Sequence, residues 1–148
     1  SLLADLPRAR ADLQADAPPL VVIGRRDVRS NNSWMHNLPT LAKGPQRCTL
    51  LIHPDDARGL SLPDGAQAVV QRGEVQLQVP VVHSDAMMRG VVSLPHGWGH
   101  NAEGAQLRVA AERPGANLNA LLDDQFRDPL SGNAVLGGVA ITMQAAVA

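Results

Sequence analysis

Aromatic side chains, cysteine and net charge are all scarce in this chain. Trp34, Trp98 and Phe126 are its only aromatics, too few for a core of stacked rings, so Val, Leu and Ala must fill the interior. A single cysteine, Cys48, excludes an internal disulfide and any zinc site built on several cysteines. Thirteen Lys and Arg against fourteen Asp and Glu leave a net charge of -1, without the basic excess of a general nucleic-acid binder. No apolar run approaches the roughly 18 residues of a membrane helix. The opening Ser1-Leu2-Leu3-Ala4-Asp5 lacks the basic start and long apolar stretch of a signal peptide. A cytoplasmic location follows as the expectation, with a periplasmic parent left open. No Gly-x-Ser-x-Gly elbow and no Gly-x-x-x-x-Gly-Lys phosphate loop occur.

What is present reads as one domain. Of 148 residues, 45% are hydrophobic and 18% charged, a globular balance at a length that suits a single core. A chain of this size buries roughly 70% of its unfolded surface and needs no disulfide or structural metal. Residues 1–18 read as a short helix or linker, closed by Pro18-Pro19. Residues 19–148 form the domain.

Leu20-Val21-Val22-Ile23 and Thr49-Leu50-Leu51-Ile52 read as buried strands. His53-Pro54-Asp55-Asp56-Ala57 opens a one-turn helix, with proline and acids in the first turn. Pro63-Asp64-Gly65 is a turn, Ala66 to Gln71 a strand, and Arg72-Gly73 the tip of a hairpin. From Glu74 to Val81 the odd positions are apolar and the even ones are not, the period of a half-buried strand. Pro80 belongs at an edge or bulge there, since it cannot donate to a ladder. Gly90 to Leu94, Leu107 to Ala111 and Val139 to Val147 are further strand candidates. Asn117 to Asp123 reads as an Asn-capped helix, and Asp128-Pro129-Leu130-Ser131-Gly132 as a turn. The sum is a mainly β protein, a small closed barrel of about six strands with a few short helices.

Three polar loops carry the chemistry. Gly24 to Asn37 holds three Arg, three Asn and two Ser in fourteen residues. Arginine forks match phosphate oxygens, Asn and Ser read the edge of a heterocycle, and Trp34 offers an apolar wall. Pro95-His96-Gly97-Trp98-Gly99-His100-Asn101 has two histidines four apart, but Gly97 and Gly99 oppose the helix that a metal pair needs, and no carboxylate stands at ligand spacing. Its glycines suggest backbone that closely approaches a ligand. In the third loop set Asn117 is most simply a cap, which leaves Asn119 as the ligand candidate. Cys48 reads as an inert core thiol, and His53 and His83 as lone residues at strand ends. No catalytic residue and no metal ligand is expected in this chain.

The order of these segments resembles one family. Gly24-Arg-Arg-Asp-Val-Arg-Ser-Asn-Asn-Ser-Trp-Met-His-Asn, His53-Pro-Asp-Asp-Ala, Pro63-Asp-Gly-Ala, Gly90-Val-Val-Ser-Leu-Pro-His-Gly-Trp, Asn117-Leu-Asn-Ala-Leu and Asp128-Pro-Leu-Ser-Gly follow one another. They resemble the C-terminal molybdopterin dinucleotide-binding domain of the dimethyl-sulfoxide-reductase superfamily, which includes formate dehydrogenases and nitrate reductases. The resemblance covers about residues 20–143. It implies a double-psi β-barrel, and a parent oxidoreductase that holds molybdenum or tungsten between two pterin guanine dinucleotides. This domain would cap the cofactor, and the remaining domains of the parent would be its partners. By position, Arg25, Arg26, Asn31, Asn32, Ser33, Trp34, Met35, His36 and Asn37 would face the pterin and its phosphates. His96, Trp98, His100 and Asn119 would line the same cleft, and Asp128 would help close its rim.

Two departures stand out. The chain has no iron–sulfur cysteine cluster and no Cys or Ser metal ligand in a family context, so a fragment inactive in isolation is expected. After Ser131-Gly132-Asn133 many relatives carry an aromatic residue followed by Lys, where Ala134-Val135-Leu136-Gly137-Gly138 stands here. The competing reading is a double-psi-barrel protein-recognition module of a larger assembly, which has no use for these two loops. A barrel enzyme of the aspartate-decarboxylase kind would need a self-cleaving Gly-Ser step, and the sequence has no Gly-Ser dipeptide.

Overall fold

The computed structural model describes residues 2–146. Helix α1, Leu2–Gln14, precedes the barrel and contains Pro7. Arg8 ties its surface together, reaching Asp5 at 2.6 Å and Asp12 at 2.8 Å. These are the i,i+3 and i,i+4 neighbours of one helix face.

Among the described residues seven strands make the barrel: β1 Val21–Arg25, β2 Leu50–Ile52, β3 Gln67–Arg72, β4 Val75–His83, β5 Val91–Pro95, β6 Val139–Ala140 and β7 Thr142–Ala145. Their spatial order is β6-β1-β5-β2-β4-β3-β7. The first and last strands of that order are separated in sequence by Ile141 alone. The sheet therefore has to curl until its two ends meet. Ile141 is buried at this switch and donates its N–H to Leu20, while β6 pairs antiparallel with β1 and β7 antiparallel with β3. The continuous strand expected from Val139 onward is thus two, because each half serves a different neighbour. That break raises the strand count from about six to seven; Val147 lies outside the described residues.

Two parallel pairs, β1 with β5 and β2 with β4, lie side by side and are joined by Leu51 opposite Ser93. Their inward side chains, among them Val22, Leu50, Ile52, Val79, Val81, Val92 and Leu94, are fully buried. Each contributes about 1.5–3 kcal/mol by leaving water. Trp98 is the one aromatic in this cluster. In β4 the odd positions do face inward, but burial grows along the strand, from exposed Val75 through half-buried Leu77 to buried Val79 and Val81.

Three local expectations change. Arg72 pairs with Val75, so the hairpin tip is Gly73-Glu74. Pro80 sits inside β4 rather than at an edge. Val81 donates to Ala66, so the alternation turns the nitrogen of Pro80 away from β3, toward β2, whose ladder starts only at Val81. Leu107 to Ala111 is no strand: Arg108–Ala111 forms a short helix, α4. The reason lies far away in sequence. The Asn37 amide oxygen accepts from the N–H groups of Val109 at 2.9 Å and Ala110 at 3.2 Å, a cap supplied from another segment.

The other short helices are α2, Pro39–Ala42, and α3, Pro54–Gly59. The side chain of His53 caps α3 by accepting from Asp55 N. Asn117 likewise caps the 3-10 turn Leu118–Leu121 by accepting from Asn119 N.

Candidate functional site

Because β1 and β5 run parallel and end in register, with Arg25 opposite Pro95, the chain leaves both strands at the same end of the barrel. The loop after Arg25 and the loop after Pro95 therefore emerge side by side. The first is built by short-range bonds. Asp27 accepts from Arg29 N through its carboxylate at 2.7 Å and from Ser30 N through its carbonyl at 3.0 Å. Asn31 and Asn32 then take φ of 41° and 64°, the left-handed region that asparagine tolerates better than most residues. Met35 N returns to Ser30 O at 3.1 Å.

The glycines of the second loop closely approach other loops. A Cβ on Gly97 would overlap the carbonyl of Asn32, and one on Gly99 would stand 2.5 Å from Asn117 Cβ. A Cβ on Gly24 would meet Leu118 at 3.3 Å. Three segments of distant sequence thus meet at this end of the barrel.

Beneath them lies a buried polar chain. Ser30 Oγ and His36 Nε2 are 2.7 Å apart, as are His36 Nδ1 and His100 Nε2. All three residues are buried. The His36 ring stacks on Trp98 with centroids 4.0 Å apart and meets His100 edge-on at 4.9 Å. Burial pushes the His36 imidazole below its ordinary range and His100 adds to the depression, while Gly97 backbone and Asp27 pull the other way. Burial alone lowers His100. Trp98 is held by packing, since its indole N–H has no acceptor among the described residues.

The expected site residues divide accordingly. Arg25 is a clamp: its guanidinium donates to Ser93 O and Thr49 O, each at 2.9 Å, and burial lowers its pKa. His36, Trp98 and His100 are interior, and Asn37 caps α4. Arg26, Asn31, Asn32 and Trp34 are exposed and Ser33 and Met35 half-exposed. Arg26 hydrogen-bonds Asn32, and both line a groove with Asp27, Asn31 and Met35. Asn119 is exposed on the turn beside Gly99. His96 is half-buried and donates its backbone N–H to Arg25 O. Asp128 is not drawn into this set. Its carboxylate accepts from Ser131 N at 2.8 Å and Leu130 N at 3.2 Å, closing its own turn. Those bonds, from Ser131 first, hold it below the usual carboxylate range.

Ser30 was not singled out by the sequence, although it anchors the buried chain; nothing local marks one serine of the loop as interior. Cys48 is buried and free, its thiol pushed up by burial, and Ala116 N donates to its sulfur at 3.2 Å. Among the described residues no cluster of three or more His, Cys, Asp or Glu is arranged to hold a metal ion, and no helix is long and apolar enough to cross a membrane.

A family model described as "Molydopterin dinucleotide binding domain" matches residues 20–140. The chain belongs to this family. The molybdopterin dinucleotide is accordingly the cofactor class of the domain, and the barrel is the fold that serves it. A curated relative, acetylene hydratase of Syntrophotalea acetylenica, is 28% identical over 94 residues, which cover 63% of this chain and 13% of that protein. A solved structure, acetylene hydratase from Pelobacter acetylenicus, superposes with a TM-score of 0.67 at 24% identity, covering 99% of this chain and 20% of that one. The domain thus spans about an eighth of the curated relative and a fifth of the solved one.

The residues present fit a pterin dinucleotide. Asn31, Ser33 and Asn119 have no hydrogen-bond partner for their side chains among the described residues, and Arg26 has only Asn32. Donors and acceptors are therefore free on the loop that also carries the 78%-exposed ring of Trp34, and on the turn beside Gly99. Asp27 is the one acid on that groove, and its Oδ1 is occupied by Arg29 N.

Proposed function

We propose that this domain closes over the dinucleotide of a larger molybdenum or tungsten enzyme, with Arg26 and Asn32 on phosphate and Asn31, Ser33 and Asn119 on the pterin edge. Trp34 would supply an apolar wall that keeps water from one face. The metal-bearing pterin guanine dinucleotide carries the reaction chemistry, and the protein orients and shields it. Arg25 holds the barrel end from which the loop departs. His36 and His100 fix the loop from beneath.

The observation that carries this reading is that the partner-free side chains of Asn31, Ser33 and Asn119 gather at one end of the barrel with the exposed Arg26–Asn32 pair. The loop motifs resemble those of formate-dehydrogenase-type oxidoreductases, and we assign the parent to that redox class. Since these loops handle the cofactor, the substrate is decided in domains beyond this chain.

The test compares cofactor loading with folding. A lost charge-assisted hydrogen bond weakens binding by about 1.5–3 kcal/mol, roughly ten- to a hundred-fold. Arg26→Ala with Asn32→Ala should lower the pterin content of the parent enzyme while leaving the melting of this domain unchanged. Full pterin loading of the double variant would remove the loop from the site.

A further inference from the structure

We propose that Ser30, His36 and His100 form a proton-operated latch, which holds the Arg26–Asn37 loop against the Gly97–His100 loop and opens when the histidine pair takes up a second proton. The inference rests on the reading of that loop as the cofactor loop, and adds its regulation.

Hydrogens decide how the chain Ser30 Oγ, His36 Nε2, His36 Nδ1, His100 Nε2 can pair, since its two contacts are both 2.7 Å. A neutral pair satisfies both contacts in either of two tautomeric arrangements, with hydrogens running from Ser30 toward His100 or the reverse. One added proton also fits. A charged His36 donates from both nitrogens, to Ser30 Oγ and to the bare Nε2 of His100. The Trp98 ring, stacked on His36 at 4.0 Å, presents a π face to that charge.

A second proton does not fit. Both nitrogens of the His36–His100 contact then carry hydrogen, with no acceptor between them and two like charges in contact. Nor do the surroundings rescue the doubly charged state. Burial and His100 oppose charge on His36, and Arg47 adds to them; the Gly97 backbone and the Asp27 carboxylate favour it but do not outweigh them. Arg113 lines the same small pocket as His36 and Trp98. No carboxylate bonds either ring among the described residues.

Separating the rings frees the turns from Asn31 to His36, whose backbone bonds are internal, Met35 to Ser30 and His36 to Ser33, while Asn37 stays anchored on Val109 and Ala110 of α4. The His36 ring is what ties these turns to a segment 64 residues away. Asn31 to Ser33 would move with it.

The test is an imidazole NMR titration of this chain, with amide exchange followed in parallel at the hydrogen-bonded Trp34, Met35 and His36 and at Val70 and Val92. The first titration step should leave loop protection level. The second should lower it about tenfold or more, the scale of one lost charged contact, while Val70 and Val92 lose no more than the domain's global stability loses over the same pH range. His100→Gln offers His36 Nδ1–H an amide oxygen and cannot charge, so its loop should stay protected throughout. If that variant does not fold, His36→Gln, which also leaves a single titrating ring, takes its place. Level loop protection through both wild-type steps would overturn the latch, as would a variant loop opening over the wild-type range or a loop loss no greater than that at Val92. Pterin content of the parent enzyme, measured on both sides of the second step, gives the separate readout. Opening without pterin loss would keep the mechanical latch and overturn the cofactor reading; loss in the wild type alone supports both.

Discussion

The carbonyl of Asn32 occupies the space that a side chain on Gly97 would need. One residue ends a left-handed pair in the first loop and the other, at φ 91°, lies just past the end of β5. Their contact registers two segments that are 65 positions apart, and it allows no atom between them.

Gly97→Ala should therefore displace the loop. The backbone carbonyl cannot swing aside as a flexible side chain would, and the positive φ adds roughly 1–2 kcal/mol of its own. Gly104, also at positive φ but with open space around it, isolates the conformational part. Urea denaturation should show Gly97→Ala losing clearly more stability than Gly104→Ala. Amide shifts at Asn32 and Ser33 should move in the first variant only.

Neighbouring arginines should part company on substitution. Arg25→Met removes donors from the carbonyls of Ser93 and Thr49, where a charged hydrogen bond contributes about 1.5–3 kcal/mol. Exposed Arg26 hydrogen-bonds only Asn32 among the described residues, and Arg26→Met should change stability by less than about 0.5 kcal/mol. Chemical denaturation of the two variants gives the comparison directly.

Burial along β4 sets a gradient. Val81 is fully buried and Leu77 half-buried, whereas Gln76 is exposed. An unpaired carboxylate at Val81 costs several kcal/mol, near the whole stability of a domain. Circular dichroism melts should find Val81→Asp unfolded, Leu77→Asp weakened and Gln76→Asp close to wild type.

Acid should destabilise the domain through its buried histidines. His36 and His100 are both lowered in the folded state by burial, so the unfolded chain binds more protons there. Stability then rises with pH. It is fully present above the unfolded value, about 6.5, and declines as pH falls from there toward the depressed folded values. Urea midpoints measured between about pH 7.5 and pH 4.5 should fall with acid. His100→Gln should flatten the slope by removing one of the two groups. A wild-type midpoint independent of pH over that window would mean that these rings charge as easily inside as outside.

Much of this molecule is decided within a few residues. The alternation of Glu74 to Val81, the capping side chains of His53 and Asn117, and the Asp128 turn all depend on neighbours close along the chain. Periodicity and short-range hydrogen bonds act the same way in any context, so these were legible directly. The clustering of Arg, Asn and Ser after β1 marked the proposed cofactor loop for the same reason, since composition needs no partner. Which members of that loop face outward was decided elsewhere. Parallel pairing of β1 with β5 puts Arg25 opposite Pro95, and from that register follow the contact of Gly97 with Asn32 and the burial of His36 on Trp98 and His100. It also gives Arg25 the Ser93 carbonyl rather than a free position. Leu107 to Ala111 shows the same rule in reverse: its alternation suits a strand, but its N–H groups found the Asn37 amide, 72 positions back, and no strand edge. Backbone donors bond to whatever acceptor the assembled fold brings within reach, and a contact across 60 or 70 residues leaves no mark on the residues between.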